Sequence, residues 1–157
     1  ISSARKYLYI QTPYLLPSEP ILLALKTASL AGVDVRIMIP QKADTKLVHY
    51  ASLSYIDELL EAGVNIYMYK KGFLHAKLLV SDDVLSTVGS TNMDFRSFEH
   101  NFEANAFMYD RCVAVTLKNT FISDQKNALS LSVKNWRKRS WYQKSLESVI
   151  RLFAPLL

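Results

Sequence analysis

The alternation of strand-like and helix-like segments between Tyr7 and Tyr69 is the feature that most restricts the fold. Three apolar runs, Tyr7–Ile10, Val33–Ile39 and Val64–Tyr69, are separated by two stretches whose apolar residues recur at helical spacing. This order is typical of βαβ units, in which parallel strands form a sheet that is covered by helices. The sequence therefore predicts an α/β fold with a mixed, mainly parallel sheet flanked by helices.

Glycine marks the end of both predicted helices. The first helix follows Ser18, carries Pro20 in its first turn and stops at Gly32. The second runs from about Lys46 to Ala62, with Gly63 behind it. Glycine is favoured at these positions because it adopts the left-handed conformation that closes a helix.

After residue 72 the pattern changes to short strands and then to helix. Ala76–Ser81 and Val84–Val88 predict a hairpin that turns at Asp82-Asp83, and Phe102–Tyr109 predicts one more strand. From Arg111 the spacing is helical to the end. The expected core residues of that part include the single cysteine as a small apolar side chain, and they are Cys112, Val115, Leu117, Phe121, Ile122, Leu129 and Val133.

Length and composition favour one globular domain over residues 1–157, because half of the residues are hydrophobic and 21% are charged. The formal charge is 19 − 14 = +5, which favours anionic partners. All of this excess lies between Lys134 and Arg151, which holds six basic residues and one acid. The chain begins with Ile1 and not Met, so we expect it to be a piece of a longer protein.

Residues 75–103 carry the pattern that points to chemistry. His75 and Lys77 are two apart in a predicted strand, so their side chains leave one face about 7 Å apart and can reach one anion. Ser90 and Asn92 repeat this spacing and offer a hydroxyl and an amide to phosphate oxygens. Glu103 is expected to accept the second ring proton of His75 and so to orient it.

These residues resemble the HKD signature of the phospholipase D superfamily. The signature is His-x-Lys, four residues, Asp, six residues and Gly-Ser-x-Asn, and all six specified positions match: His75, Lys77, Asp82, Gly89, Ser90 and Asn92. Flanking phrases such as Thr12-Pro13-Tyr14 and Asn101-Phe102-Glu103 resemble the second half of bacterial cardiolipin synthases.

The resemblance implies a phosphatidyltransferase that forms cardiolipin from phosphatidylglycerol through a phosphohistidine, with no metal and no cofactor. His75, Lys77 and Asp82 are then the catalytic candidates, Ser90 and Asn92 would bind phosphate, and Glu103 would orient the histidine. The strand alternation puts Asp82 at the turn, away from the phosphate group, where we interpret it as a structural or supporting carboxylate.

The chain departs from the family in holding one motif where two are needed to build a site. His49 and His100 do not open a second copy. The second motif is expected from a missing upstream half or from a homodimer mate. The alternative function is a single-motif, homodimeric phosphodiesterase or nuclease of the same superfamily that binds nucleic acid. A non-catalytic module that keeps the fold is the remaining class.

The basic C-terminal segment, residues 134–157, mixes cationic and aromatic residues and ends in an apolar stripe. This pattern suits an anionic membrane surface or a nucleic-acid backbone, and we favour the membrane. The stripe consists of Leu146, Val149, Ile150, Phe153, Leu156 and Leu157. The resemblance implies a parent protein at the bacterial cytoplasmic membrane, whereas this chain, which has no run of ~18 apolar residues, is expected to be soluble or peripheral.

Overall fold

One seven-stranded sheet organises residues 1–154, the part of the chain that the computed structural model describes. The elements in chain order are β1 (Tyr7–Gln11), β2 (Leu15–Leu16), α1 (Glu19–Leu30), β3 (Asp34–Pro40), α2 (Lys46–Ser54), α3 (Ile56–Glu61), β4 (Asn65–Tyr69), β5 (Leu78–Ser81), β6 (Leu85–Gly89), β7 (Met93–Asp94), α4 (Phe95–Glu99), β8 (Asn105–Tyr109), α5 (Arg111–Gln125), β9 (Ala128–Ser130), α6 (Val133–Arg137) and α7 (Trp141–Arg151). The strand order is β8-β6-β5-β1-β3-β4-β9, and β2 pairs separately with β7.

The centre of the sheet is parallel. β1 pairs with β3 and β3 with β4 in parallel, while β5, β6, β8 and β9 add antiparallel edges. The predicted α/β fold with a mixed sheet and flanking helices is confirmed. Helices connect the strands of the two parallel pairs, and a short turn connects β5 with β6. The antiparallel pairs of β1 with β5 and of β4 with β9 join strands that are far apart in sequence.

The core has two parts because β1 is buried on both faces. Leu8 and Ile10 belong to the larger cluster, which also contains core residues of α1, α2 and α3. Tyr7 and Tyr9 belong to the smaller cluster with Phe121 of α5, whose ring stacks 4.9 Å from that of Tyr9. A strand with apolar contacts on both sides is the rigid element beside which a site can be built.

The two helix-ending glycines are confirmed, with φ of +91° at Gly32 and +89° at Gly63. The second predicted helix is wrong in one respect, because it is divided into α2 and α3 at Tyr55. The Tyr55 N–H donates to the Ser52 carbonyl at 3.3 Å, a bond that tightens the turn. The last predicted strand begins at Asn105 and not at Phe102, whose side chain is fully exposed.

The prediction of continuous helix after Arg111 is wrong. α5 ends at Gln125, and β9 then pairs antiparallel with β4, so that long-range pairing at the sheet edge overrides the local helical pattern. Of the expected core residues Phe121 is buried, whereas Cys112 and Ile122 are exposed because they lie on the solvent side of α5. Leu129 is exposed on the edge strand β9.

The basic C-terminal segment forms α6 and α7, which pack on α3 and α2. Of the predicted apolar stripe, Ile150 is buried against the domain while Leu146, Val149 and Phe153 are exposed. Leu156 and Leu157 lie outside the described residues. No helix within residues 1–154 has the length and apolar character to cross a bilayer.

Candidate active site

The motif segments meet at the sheet edge where β1 ends. Gln11, the last residue of β1, lies opposite Leu78, the first residue of β5. The end of β6 at Gly89 lies opposite Asn105 at the start of β8, and the Gly89 N–H donates to the Lys77 carbonyl at 3.3 Å. The segments before β5, after β6 and before β8 are therefore neighbours in space, although they are far apart in sequence.

His75 and Lys77 are in direct contact. The Lys77 Nζ lies 3.1 Å from the His75 Nε2 and donates to the His75 carbonyl at 3.0 Å. An ammonium only donates, so in this arrangement Nε2 accepts and the ring proton is on Nδ1. The His75 ring is exposed and lies 5.4 Å from the Phe73 ring. The two side chains are closer than the ~7 Å predicted for one face of a strand, because both residues precede β5.

Lys77 is the half-buried cation of the site. Burial lowers the pKa of its ammonium, and the nearby carboxylates of Glu103, Asp94 and Asp44 oppose that shift. A partly desolvated cation beside an imidazole favours the binding of an anion, because the anion restores the electrostatic interactions that burial removed. The pair can therefore hold a phosphate oxygen, and a phosphate that takes over the hydrogen bond from Lys77 would leave Nε2 of His75 free to face phosphorus.

Ser90 and Glu103 form the second polar pair. The Ser90 hydroxyl donates to the Glu103 carboxylate in a short hydrogen bond and accepts from the Ala104 N–H at 3.0 Å. The other carboxylate oxygen accepts from Asn101 at 3.2 Å. The bond from Ser90, with a smaller contribution from Asn101, lowers the pKa of Glu103 and keeps it ionised. The Ser90 hydroxyl therefore uses its proton in a hydrogen bond to Glu103.

The expected bond from His75 to Glu103 is not formed. Ser90 and Asn101 occupy the two carboxylate oxygens, because Glu103 follows a loop that brings it beside the end of β6 and not beside the segment before β5. Glu103 does contribute a favourable charge to Lys77. The negative charge of Glu103 therefore acts on the site through its attraction to the Lys77 ammonium.

Asn92 lines a cavity of about 200 Å³ together with Lys77. The rest of its wall is mainly apolar and includes Ile10, Leu79 and Phe98. The Asn92 side-chain oxygen is buried and has no hydrogen-bond partner within the described residues. A buried amide with an open acceptor is able to bind a ligand hydroxyl, and its amide nitrogen provides donors for a phosphate.

Gly89 is required by the close approach of β6 and β8. A Cβ at this position would overlap the Asn105 side chain and the Ala104 carbonyl. The next residue, Ser90, donates its N–H to that same carbonyl at 3.0 Å. The absent side chain therefore allows the contact that sets Ser90 against Glu103.

Asp82 directly follows β5 and is five residues beyond Lys77, which corresponds to about 17 Å along an extended strand. Its carboxylate accepts from the backbone N–H groups of Arg5, Lys6 and Tyr7 at 2.7, 2.9 and 2.9 Å. Burial alone would raise the pKa of Asp82, but these three donors lower it overall. The structure therefore does not bring Asp82 to the site with His75. The carboxylate instead fixes the start of β1 to the hairpin turn.

Sequence reasoning missed one acidic group near His75. The Tyr14 hydroxyl donates to the Asp44 carboxylate at 2.6 Å, and this bond lowers the pKa of Asp44, with a smaller contribution from the charge of His75. Burial, together with Asp44, raises the pKa of Tyr14 to about 12. Asp44 follows the end of β3, and its polar loop has no pattern that distinguishes it. Only the meeting of the strand ends reveals it.

The other two histidines lie outside the group of polar side chains around His75, which we call the cluster. His49 is half-buried on α2, where burial lowers its pKa, and His100 follows α4 with its ring 5.7 Å from Phe95. Across residues 1–154, no three His, Cys, Asp or Glu side chains are grouped so as to hold a metal ion. The polar groups gathered at the site are an ammonium, an imidazole, two amides, a hydroxyl and three carboxylates: Lys77, His75, Asn92, Asn101, Ser90, Glu103, Asp94 and Asp44.

A family model described as "Cardiolipin synthase, PLD-like domain" matches residues 1–125. A curated cardiolipin synthase from Halalkalibacterium halodurans is 46% identical over all 157 residues, which are 31% of its length. The chain thus spans about a third of the curated relatives it matches.

Two solved structures share the fold. Nuc from Salmonella typhimurium, a phospholipase D family member, has a TM-score of 0.71 at 21% identity, covering 83% of this chain and 85% of that one. Phosphatidylserine synthase from Haemophilus influenzae has a TM-score of 0.73 at 16% identity, covering 98% of this chain and 40% of that one. At such identities the likeness concerns the fold alone.

Proposed function

The chain belongs to the phospholipase D-like domain family of cardiolipin synthases, and from this premise we propose that it is one catalytic half of a phosphatidyltransferase. The longer protein would convert two phosphatidylglycerol molecules into cardiolipin and glycerol. The observation that carries the proposal is the contact between Lys77 and His75, 3.1 Å from Nζ to Nε2, in a chain 46% identical to a cardiolipin synthase. An anion-binding cation beside an imidazole supports phosphoryl transfer.

The proposed reaction has two displacements. A histidine nitrogen attacks the phosphorus of the first phosphatidylglycerol, the bond from phosphorus to the glycerol oxygen breaks, and an acid protonates the departing glycerol. A hydroxyl of the second phosphatidylglycerol then attacks the phosphohistidine, gives its proton to the same group and releases the histidine. Lys77 and Asn92 would stabilise the phosphate oxygens in both steps. Ser90 would join them by turning its hydroxyl from Glu103 to the phosphate.

Two histidines are needed for these steps, one as nucleophile and one as acid and base. Only His75 lies in the cluster among the described residues. We therefore propose that a second motif completes the site, from the part of the longer protein that this chain does not include or from a second copy. The relatives are about three times as long as the chain, which supports the first source.

The proposed substrate also indicates where in the cell the longer protein would act. Phosphatidylglycerol is a membrane lipid, so the longer protein would act at the bacterial cytoplasmic membrane, with an anionic lipid surface as its partner. No helix within residues 1–154 could cross that membrane. The proposed contact of this chain is with the lipid surface.

The test is the conversion of phosphatidylglycerol vesicles by the longer protein, with cardiolipin and glycerol measured by mass spectrometry. We expect the two products in equal amounts, and a loss of about 10³-fold or more for His75→Asn. His100→Asn is the matched control and should retain activity, since its ring packs on Phe95. Activity of the His75→Asn protein equal to that of the control would refute the proposal.

A second assay tests how the site is completed. The 157-residue chain is given a small chromogenic phosphodiester over a range of protein concentrations. No turnover above that of His75→Ala supports a second motif from the longer protein. Turnover that depends on His75 and rises faster than linearly with concentration supports two copies. Turnover that stays proportional to protein concentration down to concentrations at which the chain is monomeric contradicts the need for a second motif. Cleavage of DNA by the chain favours the nuclease alternative.

A further inference from the structure

The outer side of α7 is apolar and faces solvent. Tyr142, Leu146 and Val149 follow one another at intervals of four and three residues, which puts them on one side of the helix, and they are 67, 36 and 55% exposed. We define the α7 patch as the exposed apolar and aromatic residues of this helix and the turn behind it: Trp141, Tyr142, Leu146, Val149, Leu152 and Phe153. Exposed apolar surface of this extent normally has a partner.

The inner side of α7 is fixed to the domain, so the patch cannot turn inwards without breaking buried contacts. Ile150 is buried, and Glu147, which is 4% exposed, accepts from Arg139 at 2.6 Å. At the end of the helix Arg151 pairs with Glu58 at 2.7 Å and lies 4.2 Å above the Tyr55 ring. The patch is therefore held outward by the same contacts that anchor the helix.

The exposed charges that the segment itself carries are positive, whereas Glu19 and Glu99 of neighbouring segments are exposed and line a cavity with Leu152. Glu147 is the one acid in residues 132–154, and it is buried, so every exposed charge of this segment is a cation. Three arginines of the segment are engaged in ion pairs with acids: Arg137, Arg139 and Arg151. Lys144 follows Tyr142 by two residues, so it lies on the opposite side of α7 from the patch, where it donates to the Arg137 carbonyl at 2.9 Å. The other two lysines, Lys134 and Lys138, have no ion pair among the described residues.

We propose that the α7 patch and these lysines dock on an anionic lipid surface, with α7 lying in the interface. Trp and Tyr favour the headgroup region, aliphatic side chains the region below it, and lysines the anionic headgroups. A nucleic acid would use the cations but not the aliphatic residues. A second copy docked through the same face would place lysines against lysines, with no exposed acid in the segment to pair with them.

This docking rests on the lipid surface named in the proposed function, but it can be tested separately from catalysis, because none of its residues belongs to the group around His75. The experiment measures sedimentation of the 157-residue chain with vesicles of phosphatidylcholine, alone or with phosphatidylglycerol. We expect binding to the anionic vesicles only, weakened by salt. Val149→Ser with Phe153→Ser should weaken it about tenfold or more.

The matched control for lost surface hydrophobicity is Leu23→Ser with Leu30→Ser, since both leucines are exposed on α1. Lys134→Gln with Lys138→Gln should also weaken binding, whereas Lys6→Gln with Lys126→Gln, which removes the same charge elsewhere, should not. Urea unfolding of each variant establishes that it is folded.

The unmodified chain provides a second readout. Trp136 is buried and Trp141 is 77% exposed, and they are the two tryptophans of the sequence. Anionic vesicles should shift the emission to shorter wavelength, and Trp141→Phe should abolish the shift. The proposal is overturned if vesicles leave the emission unchanged, if the patch variant binds as the control does, if only DNA binds, or if the patch variant instead dissociates a dimer.

Discussion

Replacing Asp82 tests whether this motif residue acts in catalysis or in the architecture of β1. Its carboxylate accepts three backbone N–H groups, from Arg5, Lys6 and Tyr7. At about 1 kcal/mol for each partly exposed bond, Asp82→Gly should lower the free energy of unfolding by about 3 kcal/mol at pH 7. Glycine suits the test because the backbone here has φ of +56°, so that no new strain is added.

The control variant is Asp82→Asn. An amide keeps one acceptor oxygen and tolerates the left-handed conformation, so the loss should be about half as large. Urea unfolding followed by circular dichroism measures both variants. The pKa of Asp82 is lower in the folded protein than its ordinary value of about 3.9, so the stabilisation is present above about pH 4 and is lost as the pH falls below it. The difference between the native chain and Asp82→Gly should shrink accordingly.

The same variants should leave the site intact. Because β5 separates Asp82 from the group around His75, the NMR resonances of the His75 ring should be the same in the native chain and in both variants. Two results would refute the reasoning: an unfolding free energy for Asp82→Gly equal to that of the native chain, or shifted His75 resonances in a folded variant. The second result would mean that Asp82 acts together with His75 in catalysis.

Three further perturbations have defined outcomes. Gly89→Ala should destabilise the chain by about 2 kcal/mol or more in urea unfolding, because the new Cβ overlaps the loop before β8, and equal stability would contradict that packing. Tyr14→Phe removes the bond that most lowers the pKa of Asp44, so NMR titration should find this pKa higher, and an unchanged value would contradict the contact. Arg139→Met leaves Glu147 buried without its cation and should cost about 3 kcal/mol at pH 7. Burial raises the pKa of Glu147, so the cost should grow from about pH 4 towards pH 7, and a cost independent of pH would contradict this account.

The parts of the fold that are visible in the sequence are those set by local chemistry. Helix ends at Gly32 and Gly63 follow from backbone preference, and the nearness of His75 to Lys77 follows from residue spacing, whereas their direct contact does not. By contrast, β9 and the two-residue pair of β2 with β7 depend on which strand edge is left open, which is a property of the assembled sheet. No local pattern encodes it.

The same division applies to the site. The fixed spacing of the motif predicts Ser90 and Asn92 as phosphate ligands, and that role stays a prediction. The bond between Ser90 and Glu103 is not visible in the spacing, since it depends on how the loop before β8 meets β6. Asp44 was missed for the same reason, because it approaches His75 only when the ends of β3 and the segment before β5 lie side by side. The residue types at a site can be read from spacing, whereas their pairing needs the fold.

The most direct test of the central claim is the configuration at phosphorus after transfer, measured by NMR on phosphatidylglycerol that is isotopically chiral at its phosphate. Each in-line displacement inverts phosphorus, so two displacements through a phosphohistidine restore the starting configuration. The account predicts cardiolipin with retained configuration, formed by the longer protein and absent with His75→Asn. Inverted configuration, which requires a single direct displacement, would contradict it.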